Sequence, residues 1–282
     1  MTTGDGRAMR RQAKGEAVKR ELLPGESKRL LQELHLLTRE GNLNADALRK
    51  LKQVNHLVRL LQPAVEDVLE RFGEPVIVDC GAGKGYLGFV LHELFLSQAT
   101  KGRIVSVESR EELVRAARER AARLGFSRME FVEAALAEAP VPERLHLVTA
   151  LHACDTATDD ALFLAISRNA DHVAVVPCCQ AEVAAQLDRA KAPPSPLTSL
   201  YEHAWHRREF GSHLTNVLRA LTLEAHGYRV TVTELTGWEH SLKNELILGK
   251  KVRGSGPEAR AKLDALLAAT GVRPKLIRLL GG

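Results

Sequence analysis

No apolar run in the 282 residues approaches the roughly 18 needed for a membrane-crossing helix, so no membrane span is expected. The first residues are polar and basic rather than leader-like, which makes a cytoplasmic protein the expectation. Cysteine is scarce: Cys80, Cys154, Cys178 and Cys179 are the only four, with no CxxC pair. That excludes a disulfide framework and a zinc ribbon and leaves reduced thiols. No internal repeat is visible. What remains is 45% hydrophobic, enough for the core of one large α/β domain with a small extension.

Charge is unevenly placed. Residues 1–60 carry 13 Lys+Arg against 7 Asp+Glu, and the remainder 27 against 28. A near-neutral body with a basic front end suits a polyanion gripped by the extension and modified by the body, although a solvated basic face accounts for a charge run equally well.

The periodicity divides the chain into a basic flexible tail over 1–24, a helical extension over 25–65, a main domain over 66–252 and a C-terminal helical tail over 253–282. In the extension Leu30, Leu31, Leu34, Leu37, Leu48, Leu51, Val54, Leu57, Leu60 and Leu61 recur at helical spacing, as two helices separated by Gly41-Asn42. Strands are expected at Pro75–Asp79, Arg103–Glu108, Met129–Val132, Leu145–Leu151 and His172–Pro177. Helices are expected at Leu87–Leu96, Glu111–Leu124, Thr158–Ser167 and Gln180–Lys191. This alternation is the mark of a doubly wound, mostly parallel sheet. After a helix over Glu209–Ala225, strands Tyr228–Glu234 and Glu245–Lys251 follow without a helix between them, so an antiparallel hairpin closes a seven-stranded sheet. A helix over Pro257–Ala269 comes last.

Val76-Ile77-Val78 is a β-branched run suited to a buried strand. The glycines of Asp79-Cys80-Gly81-Ala82-Gly83-Lys84-Gly85 then let the backbone turn tightly against a ligand. Asp79 offers a carboxylate to an ammonium group, and Glu108, at the end of the next strand, can accept from both hydroxyls of a ribose. A nucleoside with a cationic tail fits that pair. Gly83-Lys84-Gly85-Tyr86-Leu87-Gly88 also matches the dinucleotide fingerprint GxGxxG, with Glu108 20 residues further on. Against a dinucleotide stand Asp79, which would repel a pyrophosphate, the start of the glycine loop two residues ahead of the fingerprint, and the closing hairpin.

Ile77-Val78-Asp79-Cys80-Gly81-Ala82-Gly83-Lys84-Gly85-Tyr86-Leu87-Gly88 resembles motif I of the class I S-adenosylmethionine-dependent methyltransferases, and Val107-Glu108-Ser109 resembles their ribose-binding acid. The resemblance covers about Leu57 to Val252. It implies a Rossmann-like methyltransferase that uses S-adenosyl-L-methionine, with Asp79, Gly81, Ala82, Gly83, Gly85, Tyr86, Glu108, Ser109 and His152 on the cofactor and Glu133 and Ala134 beside its adenine. Leu151-His152-Ala153-Cys154-Asp155-Thr156-Ala157-Thr158-Asp159 and Val176-Pro177-Cys178-Cys179-Gln180 are similar to a branch related to the tRNA 2′-O-methyltransferase of the acceptor stem.

Residues just after strands four and five face the ligand in such a sheet, which makes His152, Asp155, Cys178 and Cys179 the catalytic candidates. Either His152 or Asp155 could take a proton from the acceptor; His152 could equally cap its strand. The cysteines admit three readings. One is a thiolate that adds to a pyrimidine, although the Pro-Cys of cytosine-5 RNA methyltransferases follows strand four, whereas Pro177-Cys178 follows strand five. Another is a metal site completed by His152 or His240. The third is inert buried thiols. No Asn/Asp-Pro-Pro-aromatic signature for exocyclic amines is present.

Gln180, Arg208, Trp238, His240, Lys243 and Asn244 are candidate substrate contacts, because aromatic and cationic side chains at a pocket mouth can stack a base and hold a phosphate. Both tryptophans could instead fill gaps in the core. The expected function is methyl transfer to RNA, tRNA or rRNA, with RNA held by the basic N-terminal extension. The rivals are a methyltransferase of a protein side chain or small molecule, a nicotinamide-dependent oxidoreductase, and a domain that binds without catalysis.

Overall fold

The computed structural model describes residues 20–151, 153, 155–177, 180–189, 196–235, 245–252, 254 and 256–281. Seven strands form one sheet: β1 (Val76–Cys80), β2 (Arg103–Glu108), β3 (Met129–Glu133), β4 (Leu147–Ala150), β5 (His172–Val175), β6 (Tyr228–Glu234) and β7 (Glu245–Lys251), in the order β3-β2-β1-β4-β5-β7-β6. The first five run parallel. β7 is antiparallel to both β5 and β6, which is the expected hairpin.

The strands sort their side chains by the two-residue pleat. Ile77, Ile104, Leu147, Ala174 and Leu246 enter one apolar core, and Val76, Val78, Val105, Val107, Val148, Val173, Val175 and Ile247 enter another. Both faces are therefore buried, which is why the parallel strands read as continuous apolar runs. The first face is covered by α2 (Ala45–Arg71), α3 (Tyr86–Leu91) with a π-turn at His92–Leu96, and α4 (Glu111–Leu124). On the second lie α5 (Thr156–Ser167) and α9 (Lys275–Leu279), with Leu223 of α7 (Ala204–Ala225). α6 (Glu182–Arg189) and α8 (Pro257–Thr270) build a third cluster with α7.

The N-terminal region departs from the expected outline. Helix α1 spans only Lys28–Glu33. The chain reverses at His35, whose φ is +56°, and the reversal lets the adjacent Leu36 and Leu37 both reach the core. Asn44 then caps α2 by accepting from the Ala47 N–H at 2.7 Å. α2 runs unbroken through position 65, where the extension was expected to end. Leu22, Leu30, Leu31, Leu34, Leu36 and Leu37 share one apolar core with Ile77, Phe89 and Ile104, so this segment is part of the main domain's packing. Among the described residues no helix is long and apolar enough to cross a membrane.

β1 lies between β2 and β4, so successive crossovers leave it in opposite directions. This is the topological switch point, and the crevice beyond the strand ends is where such sheets bind ligands.

Candidate active site

The turn after β1 and the acid after β2 are built as one unit. Gly81, Gly83 and Gly85 have φ of +62°, +58° and +74°, the left-handed region that side chains other than glycine reach only with strain. The Ala82 N–H donates to the Val107 carbonyl at 2.9 Å, and the Gly85 N–H to the Ala82 carbonyl at 2.8 Å. The Gly83 N–H donates to Glu108 Oε2 at 2.8 Å. A Cβ on Gly83 would meet nothing within 4 Å; the glycine is needed for its backbone conformation, and the space over it is open to a ligand.

Glu108 is 7% exposed. Burial pushes its carboxyl up, but the Arg110 guanidinium and the N–H groups of Gly83 and Arg110 outweigh that and hold it below the usual carboxylate range. It is an ionised acceptor, as a ribose diol requires. Ser109 Oγ lies 3.5 Å from Glu108 Oε1, and the Ala134 N–H donates to the Glu108 carbonyl at 3.2 Å. The end of β3, with the exposed Glu133, therefore lies beside the acid, on the side proposed for an adenine. Tyr86 is 41% exposed and donates its hydroxyl to the Leu34 carbonyl at 3.3 Å, linking the first turn of α3 to the segment after α1.

Asp79 is 3% exposed, and burial pushes its carboxyl up to about 7, against the opposing effects of the Thr149 hydroxyl and the Gly88 backbone. Thr149 Oγ1 donates to Asp79 Oδ1 at 3.0 Å. Among the described residues no cation is paired with Asp79. A buried acid in that state favours a cationic ligand, so Asp79 and Glu108 together match a nucleoside that bears an amino-acid tail, such as S-adenosylmethionine.

The rim is bound together by a polar network. Asp155 has φ +48° and ψ −115°, an uncommon backbone state for a residue other than glycine. Its Oδ1 accepts from the N–H groups of Ala181 at 3.0 Å and Glu182 at 3.4 Å, capping the start of α6. Asp155 thus fastens the loop after β4 to the loop after β5. Its carbonyl accepts from Arg219 Nη2 at 2.8 Å, and Arg219 Nε donates to Asp159 Oδ1 at 2.8 Å, with both side chains 2% exposed. Burial raises the Asp159 carboxyl, and the Arg219 guanidinium counters it.

Gln180 is 5% exposed; its Oε1 accepts from Ser212 Oγ at 2.7 Å and its Nε2 donates to Asn216 Oδ1 at 3.4 Å. Asn216 Nδ2 donates to Glu245 Oε2 at 3.0 Å. The network spans the exits of β4 and β5, α7 and the start of β7.

Arg208 stands apart from these contacts. It lies one turn before Ser212 on α7, with its guanidinium 4.2 Å from the centroid of the Trp205 ring. Trp205 is 65% exposed. His152, Cys154, Cys178, Cys179, Trp238, His240, Lys243 and Asn244 lie outside the described residues. Cys80 lies inside β1, and burial, with Asp79 and Asp160 adding to it, pushes its thiol well above the ordinary value; it is an unreactive core thiol.

Sequence reasoning passed over Thr149, Arg110, Asn216, Arg219 and Ser212. Arg219 carried a signal: it sits among Leu218, Leu221, Thr222 and Leu223 on an apolar stretch of α7, where a cation implies a buried partner.

A family model described as a methyltransferase domain matches residues 49–186, a span that holds the glycine turn, Glu108 and the β4 and β5 exits. The glutathione S-transferase C-terminal domain-containing protein of Bos taurus is 27% identical over 233 residues, which cover 75% of this chain and 35% of that protein. The Mus musculus protein of the same name is 27% identical over 232 residues, covering 75% and 34%. The chain thus spans about a third of the length of the curated relatives it matches.

Solved structures similar to this chain include an rRNA methylase from Streptococcus thermophilus, at 12% identity with 70% of this chain and 97% of that one covered and a TM-score of 0.46. Another is the S-adenosylhomocysteine-bound methyltransferase PaMTH1 of Podospora anserina, at 13% identity, 79% and 87% coverage and a TM-score of 0.45. The match of residues 49–186 to a methyltransferase-domain model, the sheet order and the placement of the Asp79 and Glu108 carboxylates at the glycine turn agree with one another: this part of the chain is similar to a methyltransferase domain, on a Rossmann-like sheet suited to S-adenosylmethionine.

Proposed function

We propose that the domain methylates RNA, a tRNA or rRNA, at a nucleotide held between the exits of β4 and β5. The observation that carries this reading is the Trp205–Arg208 pair: a largely exposed indole with a guanidinium over its ring, on the face of α7 that leads by i, i+3 and i+7 spacing to Ser212 and its bond to Gln180. An exposed tryptophan with one ring face free is a stacking surface for an unpaired base. The likeness of the 151–159 and 176–180 segments to a branch related to the tRNA 2′-O-methyltransferase of the acceptor stem supports the same substrate class and a ribose hydroxyl as acceptor.

The second support is electrostatic. Arg49, Lys52 and Arg59 are exposed and, with His56, share one face of α2 at i, i+3, i+7 and i+10, a stripe suited to a phosphate backbone.

When bound, S-adenosylmethionine would supply a sulfonium methyl: transfer breaks the S–CH3 bond, whose electron pair stays on sulfur as a thioether, and joins the methyl to the acceptor oxygen, whose proton leaves to a base. Asp79 holds the ammonium end and Glu108 the ribose. Asp155 and Gln180 fix the rim, and His152 is the residue proposed to take the proton. Trp205 and Arg208 hold the base and its phosphate at the mouth.

The test is incubation with methyl-labelled cofactor and total cell extract, with the label then sought in RNA, protein and small molecules. Label in RNA, reduced about tenfold in Trp205→Ala as expected for the loss of one stacked base, is the predicted result. Label confined to protein or to small molecules would overturn it. The contribution of the α2 face is tested by neutralising Arg49, Lys52 and Arg59 together rather than by truncation, since the flanking leucines belong to the core. The slope of log affinity against log salt should fall by about three.

A further inference from the structure

We infer that Arg110 is a displaceable substitute for the cofactor's ribose diol, occupying the Glu108 carboxylate until the nucleoside enters. An ionised carboxylate offers about four lone-pair sites, and four N–H groups fill them here. The Gly83 N–H reaches Oε2 at 2.8 Å and the Arg110 N–H reaches Oε1 at 3.1 Å. Arg110 Nε reaches Oε1 at 2.9 Å, and Nη2 reaches Oε2 at 3.3 Å. The Ser109 hydroxyl, at 3.5 Å, is at the outer limit of a bond.

The two backbone donors are fixed, one by the glycine turn and one by the start of α4. The two guanidinium donors sit on a side chain that is 59% exposed, over an acid that is 8% exposed. Only the guanidinium can swing away into water without disturbing the fold. It vacates one position on each oxygen, and a ribose 2′,3′-diol brings two O–H donors, one for each. The exchange conserves every hydrogen bond of a buried acid, which would cost heavily if left short. It also selects for a ligand that presents two adjacent hydroxyls, because a single hydroxyl replaces only half of what leaves.

The arrangement has two effects. In the free protein Arg110 keeps Glu108 ionised and correctly turned. On binding, its pair with Glu108 must open, which lowers the observed affinity. An ion pair with one partner this exposed is weak, so the expected penalty is about two- to fivefold in affinity.

The test is titration of the purified protein with S-adenosylhomocysteine, comparing wild type with Arg110→Ala and Arg110→Lys, with thermal unfolding followed to confirm that the variants fold. Both retain the Arg110 backbone N–H. Arg110→Ala should bind about two- to fivefold more tightly, and Arg110→Lys should fall between it and wild type. Raising the ionic strength screens the pair, so added salt should shrink the difference between wild type and Arg110→Ala. Weaker binding by Arg110→Ala would make Arg110 a direct cofactor contact and overturn the inference. Equal affinity, or a difference untouched by salt, would overturn it as well.

Discussion

Replacing Asp79 with asparagine should stabilise the free protein at neutral pH while removing its hold on the cofactor. Burial moves the Asp79 carboxyl from 3.8 to about 7, a little over three pH units, and each unit corresponds to about 1.4 kcal/mol. Ionising the buried group therefore costs the fold roughly 4 kcal/mol. The folded protein holds this proton more tightly than the unfolded chain does. The favourable contribution of the acid is thus fully present below pH 3.8 and is lost as pH rises to about 7, beyond which it changes no further. Asparagine does not titrate, keeps the shape and can still accept from Thr149.

The assay is urea unfolding of both proteins between pH 4.5 and 8, read as the difference in unfolding free energy so that groups common to both cancel. The Asp79→Asn protein should gain on wild type by about 1.4 kcal/mol per pH unit up to pH 7 and then hold steady. Any constant offset from the new amide leaves this slope unchanged. A difference that does not vary with pH would refute the reasoning. In the same window, wild-type affinity for S-adenosylhomocysteine should rise with pH and level off near 7, because the ammonium of the ligand requires the ionised acid.

Arg219→Met leaves Asp159 buried without a partner and should cost about 3–5 kcal/mol in urea unfolding, while Arg219→Met combined with Asp159→Leu should recover much of the loss; a near-neutral single variant would show that the network holds nothing in place. Leu31→Ala, at a fully buried position, should cost about 2–5 kcal/mol and lower one cooperative transition that includes the sheet. A separate early transition would instead mean that the N-terminal segment folds on its own.

Much of the sheet was legible because both of its faces are buried. Parallel strands covered on two sides read as unbroken β-branched runs, and β2, α4, β6 and β7 coincide with the ranges read from sequence. The glycine turn was legible because positive φ leaves few residue choices. The first 45 residues were less so: helical leucine spacing suggested a long first helix, but the reversal at His35 comes from the need to bury the neighbouring Leu36 and Leu37, a tertiary demand that periodicity does not show. The rim network was hidden for a different reason. Asp155, Gln180, Arg219 and Glu245 are far apart in sequence and meet only because the exits of β4 and β5 converge on α7. Arg110 was hidden because an arginine two residues after an acid looks like any solvated charge until the donors on Glu108 are counted.

The most direct test of the central claim, that the turn from Asp79 to Gly85 and the acid Glu108 hold S-adenosylmethionine, is a calorimetric titration of wild type and Glu108→Gln with S-adenosylhomocysteine and with NADH. Wild type should bind S-adenosylhomocysteine and give no heat with NADH, and Glu108→Gln should lose at least about tenfold in affinity, the worth of hydrogen bonds to a charged acceptor. Binding of NADH without any response to S-adenosylhomocysteine, or a Glu108→Gln protein that binds as wild type does, would contradict it.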